Sequence, residues 1–177
     1  MKKGLVVVAL FLMAGWGTAW SAGADTASPP AGSAEIMDRQ GKSVGTAALK
    51  EDDKGVSLAV AVSGLPPGRH GIHIHAAGKC DPPEFKTAMG HFNPYGRKHG
   101  LKNSEGSHAG DLPNLEVGPD GSGQFTTTLE GVSLKAVAPG SLRDGAGTSI
   151  VIHAGPDDET TDPAGNSGAR IACGDIR

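Results

Sequence analysis

Residues 68–80 read GRHGIHIHAAGKC. Three histidines fall within six positions, two of them alternate with isoleucine, and the stretch ends on one of only two cysteines in the chain. Alternation of this kind places residues i and i+2 on one face of a strand. Ile72 and Ile74 then turn toward a core, while His73 and His75 point together to the outside. Two imidazoles on one face of a rigid strand form half of a metal site. The same H-x-H pattern also occurs on ordinary strand surfaces, so the rest of the chain decides.

Outward from this strand the period of two recurs. "SLAVAVSG" (57–64) puts Leu58, Val60 and Val62 on one face and Ser57, Ala59 and Ala61 on the other. "SAEIMDRQG", "SVGTAALKE", "NLEVGPDGSGQFTTTLEG" and "GTSIVIHAG" read as further strands, and Pro119, Asp120 and Gly121 mark a hairpin turn. No stretch longer than two turns carries a helical stripe. Frequent turns follow from 28 glycines and 12 prolines, with few aromatics. The pattern predicts an all-β fold of eight short antiparallel strands, a sandwich or closed barrel. Two long segments, 76–111 and 154–169, interrupt it; such segments in compact domains are functional or disordered. The histidines gather in and beside them, so both are read as functional loops.

The first 24 residues carry Lys2 and Lys3, an apolar run from Leu5 to Met13, and Ala22-Gly23-Ala24. That is the pattern of a secretory signal peptide with an A-x-A cleavage site, and the apolar run is too short to span a bilayer. The leader has no cysteine for a lipid anchor. Residues 25–32 read as a flexible lead-in and residues 33–177 as one domain. Removing a leader that holds two lysines and no acid takes the formal charge from −3 to −5. A mildly acidic surface argues against nucleic acid or membrane partners. The chain is expected outside the cytoplasm, periplasmic or secreted, where Cys80 and Cys173 would bond to each other. Such a closure spans about 90 residues and stabilises by up to about 4.7 kcal/mol before native strain is subtracted.

Beyond His73 and His75, the chain offers His91 in "GHFNP", His99 in "KHG", His108 in "SHAGD", Asp111 three residues on, and His153 at the end of "SIVIHAG". With His70 set aside, six histidines and one aspartate match two four-coordinate sites that share a residue. His73, His75, His91 and His153 form one set, and His91, His99, His108 and Asp111 the other. An all-imidazole set with an open face suits copper. A closed set of three imidazoles and a carboxylate suits zinc. His91 would bind through both ring nitrogens, which requires the imidazolate anion held between two cations.

On these residues the chain resembles the copper-zinc superoxide dismutases, particularly their bacterial exported members. The resemblance covers roughly residues 33–175 and rests on "HGIHIH", "GHFNP", "KHG", "HAGDL", "IHAGPDD" and "GARIACG". It implies a Greek-key barrel with one copper and one zinc per chain, both outside the barrel under the two long loops. It implies superoxide as substrate, with copper reduced by one anion and reoxidised by a second. His91 would leave copper on reduction, take a proton and pass it to the departing peroxide. Arg170 matches the channel arginine that docks superoxide. Asp157 matches the carboxylate that accepts from the outer nitrogens of His73 and His99, with Asp158 the competitor by adjacency. His70 is expected to tie loop backbone near the copper. A homodimer is compatible with the resemblance.

Three features depart from familiar members. Cys80 comes early, leaving "DPPEFKTAMG" as a longer tether to His91. The second loop, "AGPDDETTDPAGNSGA", has four acids and no lysine, so steering would fall to Arg170, the metals and first-loop Lys79, Lys86, Lys98 or Lys102. Ala164 stands where a threonine often lines the channel. Three other readings compete. An exported copper- and zinc-binding protein without turnover would have blocked or absent copper access. A β-domain with a zinc-stabilised loop would leave His73, His75 and His153 unexplained. A zinc hydrolase lacks an obvious general base beside an open zinc.

Overall fold

The structure, a computed structural model, describes Met1 and residues 32–177. The signal peptide expected over residues 1–24 and residues 25–31 of the lead-in lie outside the described residues. Gly32, assigned to the lead-in, already belongs to the first strand. Nine strand segments follow in chain order: β1 (Gly32–Asp38), β2 (Ser43–Asp52), β3 (Gly55–Val62), β4 (Gly68–His70), β5 (Ile72–His75), β6 (Leu115–Val117), β7 (Gly123–Leu129), β8 (Ser149–His153) and β9 (Arg170–Asp175). The one regular helical piece among them is a 3-10 turn at Lys86–Ala88.

Seven strands form one antiparallel sheet in the order β5-β8-β9-β1-β2-β3-β7, and β4 pairs with β6. Only Gly71 separates β4 from β5, so the two are halves of one run, and eight runs result. Gly71 allows the break because a Cβ there would come within 2.8 Å of Ser167. Its N–H donates to the Gly155 carbonyl, and its carbonyl accepts from His153 N–H. The upstream half of the run pairs with β6, which turns back into β7 through residues 118–122. The Pro-Asp-Gly turn lies there, with Gly121 at φ +78°. The sheet thereby curls until its two edge strands are linked through β4 and β6.

Period-two burial decides the inner face. Val56, Leu58, Val60 and Val62 of β3 are buried, and Ala59 and Ala61 are exposed. In β2 the inward residues jump from Val44 to Ala47. The β1–β2 register shows why: Ile36 faces Gly45, the next residue Met37 faces Ser43, and Val44 is left as a bulge. The main core gathers Ile72 and Ile74 with Ile150 and Ile152 from the facing strand β8. Outside the barrel, Val151 and Cys173 meet Phe85 and Ala88 from the first loop in a second, smaller cluster. The Cys80–Cys173 disulfide, with Cα atoms 5.6 Å apart, closes beside it.

A third strandless segment, residues 130–148, was not singled out from sequence. Its apolar Val132, Leu134 and Leu142 are buried without either regular period. Glu51 of β2 fixes it by accepting from Ser133 Oγ and the Leu134 N–H, both at 2.9 Å. Tyr95 ties it to the first loop by donating to the Gly131 carbonyl.

Phe85 is 1% exposed and forms most of the apolar underside of the first loop. Phe85→Ala is expected to cost about 3–5 kcal/mol in denaturant unfolding and to raise amide exchange across residues 81–90. A loss below about 1 kcal/mol would mean that the disulfide and the loop's hydrogen bonds hold it without the Phe85 ring.

Candidate metal centre

The centre is built on the free edge of β5. One side of β5 pairs with β8. On the other side the first loop supplies the missing partners: Ile74 N–H donates to Gly110, Phe92 N–H to Ile74, and Ala76 N–H to Gly90. These bonds set His91 opposite His75 and Asp111 opposite His73. His73 and His75 leave the barrel as the alternation predicts, and the loops bury them to 0% and 1% exposure.

In the first set, hydrogen bonds outside the ring cluster fix each tautomer. His75 Nδ1 donates to the Met89 carbonyl at 2.9 Å, and His153 Nδ1 to Gly168 at 3.1 Å. His73 Nε2 lies 2.6 Å from Asp157 Oδ2. The opposite nitrogens, His73 Nδ1, His75 Nε2 and His153 Nε2, are buried with no partner, as is His91 Nε2. These four histidines present donor atoms within 4.8 Å of one another. Four buried lone pairs converging without a hydrogen are costly alone and fit a cation. An all-imidazole donor set fits copper.

The second set converges on one oxygen. Asp111 Oδ1 is 2.9, 3.0 and 3.2 Å from Nδ1 of His91, His99 and His108. Its Oδ2 accepts from Gly100 and His108 N–H, which fixes the carboxylate plane. Three imidazoles and a carboxylate fit tetrahedral zinc. His91 serves both sets, with Nδ1 toward the second and Nε2 toward the first.

Asp157 joins the sets from outside: Oδ2 meets His73 Nε2, and Oδ1 meets His99 Nε2 at 3.0 Å. Gly165 is required at its back, where a Cβ would overlap the carboxylate. Asp158 turns away and accepts from Thr160 and Thr161 N–H and from Asn166. Asn114, missed from sequence, clamps Asp157 by accepting from its N–H at 2.7 Å and donating to its carbonyl at 2.9 Å. His70 reaches the carbonyls of His153 and Pro66 with its two ring nitrogens. Arg170 donates from Nη1 to the Phe85 carbonyl and from Nη2 to the Met89 carbonyl, both at 2.6 Å. Met89 O thus accepts from both His75 and Arg170. Backbone acceptors leave no mark in a sequence, so this part of the site was not legible.

Burial pushes His75 down to about 2, His91 to about 4 and His153 to about 3. These rings are neutral and able to ligate. Burial also resists charging His99, but its hydrogen bonds to the Asp111 and Asp157 carboxylates outweigh that and lift it to about 9. Burial opposes ionising Asp111 and Asp157, yet their histidine partners hold both well below the usual carboxylate range.

Residues 43–176 match the profile of the family described as copper/zinc superoxide dismutase. A superoxide dismutase [Cu-Zn] of Aquifex aeolicus is 49% identical over 145 residues, which cover 81% of this chain and 85% of that protein. The crystal structure of a SOD-like protein from Bacillus subtilis superposes with a TM-score of 0.78 at 42% identity, over 81% of this chain and 96% of that one. The Cu/Zn superoxide dismutase of Brucella abortus superposes with a TM-score of 0.66 at 29% identity, over 82% and 98%.

The metal-free chain should lose stability as pH falls from about 6.5 toward about 4. Over that window the unfolded chain protonates His75, His91 and His153 while the fold keeps them neutral, so acid favours unfolding. Asp111 and Asp157 add to the loss at lower pH. His99, raised, acts oppositely, and its contribution is lost as pH rises through about 9. Melting temperatures of chelator-stripped protein check this; a flat or rising profile below pH 6.5 would contradict the neutral assignment.

Proposed function

This chain belongs to the copper/zinc superoxide dismutase family, and from that membership we propose that it converts two superoxide anions to dioxygen and hydrogen peroxide. The observation that carries the reading is the set of four buried, bare imidazole nitrogens. Copper would be held by His73 Nδ1, His75 Nε2, His91 Nε2 and His153 Nε2, and zinc by Nδ1 of His91, His99 and His108 with Asp111 Oδ1. Copper bound there would supply one-electron redox chemistry, so that one superoxide could be oxidised to dioxygen and a second reduced, with two protons, to hydrogen peroxide.

The chain's own groups do the rest. His91, with Nδ1 committed to the second set, would hold a proton at Nε2 only when that nitrogen is free of copper, and its burial keeps it from becoming a cation at neutral pH. That proton is one of the two the leaving peroxide needs. Asp157 keeps His73 and His99 in register so that both sets share one geometry. Arg170 has two of its five donors fixed on loop carbonyls and the others left for an anion. It shares the Met89 carbonyl with His75 and pairs across the sheet with His153, which supports a role beside the first set. We assign it to docking superoxide.

We place the enzyme outside the cytoplasm, with residues 1–24 as a removed signal peptide. The formed disulfide and the leader pattern support this. The rival binding-protein reading gains nothing from the structure, since the first set is complete and Arg170 stands beside it. A zinc-only β-domain would leave four bare nitrogens without purpose.

Loading the chain with one copper and one zinc should give superoxide loss that depends on copper. A rate no better than buffer with both metals bound would sink the enzyme reading. Arg170→Ala should lower kcat/KM on the order of tenfold or more while copper content stays unchanged.

The four first-loop lysines are all paired: Lys79 with Asp81, Lys86 with Glu84, Lys98 with Asp162 and Lys102 with Glu159. Their charge is spent locally, so the rate should change by less than about twofold between low and physiological salt. A steep fall would show that these lysines steer after all.

A further inference from the structure

We propose that the cavity between the first loop and β7 is the route by which zinc reaches and leaves the second ligand set. The proposal rests on the assignment of that set above. The cavity holds about 570 Å³ and opens to the surface beside Arg97, Tyr95 and Glu130. His108 and Asp111 stand in its wall, whereas His73, His75, His153 and Arg170 do not. The second set therefore has an approach of its own, on a side that the copper residues do not line.

The burial gradient within the set points the same way. The His108 side chain is 8% exposed, against 4% for His91, 1% for Asp111 and 0% for His99. An incoming ion meets His108, the most exposed of the four, first. A divalent ion sheds its water in stages, and the route offers oxygens to replace it: Ser107, Thr127 and Thr128 line the same space. On the other side, the ring of His73 from the first set stacks on the shared His91 ring with centroids 4.0 Å apart. The Arg170 cation stands beside the copper residues, where it repels a free metal ion. At the zinc-side mouth the exposed Arg97 opposes a cation and the exposed Glu130 favours it, so reversing the Arg97 charge tips the balance toward entry.

Two substitutions away from both ligand sets test the route. Arg97→Glu reverses the charge at the mouth, and Thr128→Trp, at an exposed position of β7, fills the cavity with a ring that strands accept. Protein carrying one equivalent of copper and no zinc is mixed with Co(II), and the ligand-field absorption of cobalt in the second set is followed in time. Arg97→Glu should speed uptake several-fold at low salt, an advantage that salt removes, and Thr128→Trp should slow it by about tenfold. Both should reach the absorption spectrum and stoichiometry of the unaltered protein. Equal rates in all three proteins, with the same final spectrum, would overturn the route alone. Failure of the unaltered protein to develop the cobalt spectrum would instead overturn the assignment of the second set.

Discussion

The open edge of β5 must find hydrogen-bond partners, and the loop that follows it provides them. A sheet edge with bare N–H and C=O groups is costly when buried and an aggregation template when exposed. Here the segments around Gly90–Phe92 and Gly110 pair with Ile74 and Ala76 through ordinary backbone bonds. That pairing covers the edge and, at the same time, sets His91 against His75 and Asp111 against His73. A requirement of sheet architecture thus positions two of the ligand candidates, His91 and Asp111, without any loop rigidity of their own.

Electrostatics then divides the buried groups by what surrounds them. Rings whose outer nitrogen donates to a neutral carbonyl, His75 and His153, are kept neutral by burial. His99, caught between two carboxylates, is driven the other way. The same side-chain type therefore carries opposite tendencies within one cluster, and a cation of the right charge resolves both. Asp157 belongs to neither set. It contacts one ring of each, and its own position is held by Asn114 and by the space that Gly165 leaves.

Much of this was legible in the residues. The alternation of Leu58, Val60 and Val62 fixed the inner face of β3, and Ile72 with Ile74 did so for β5, because burial on one side of a sheet has a simple period. The chemistry of ligation is likewise carried by residue type, so seven candidate side chains could be picked out before any geometry. What the residues could not show is what depends on backbone or on packing from above. The break at Gly71, the bulge at Val44 and the third strandless segment over residues 130–148 follow from tertiary fit. The depth of His73 and His75 depends on loops that fold over them. The carbonyls of Phe85 and Met89 would look the same in the sequence whatever residues stood there.

The shared carbonyl of Met89 has a wider consequence. It accepts from the ring of one ligand candidate and from the guanidinium beside the site, at a residue whose backbone φ of 66° suits glycine better than a side chain. A shift of this one oxygen moves both donors together. Variation in the tether ahead of it is then never neutral for one and felt by the other: the two traits are inherited as a unit. A lineage that alters this segment must keep the proposed ligand His75 and the proposed docking group Arg170 in step, which narrows the changes that can survive.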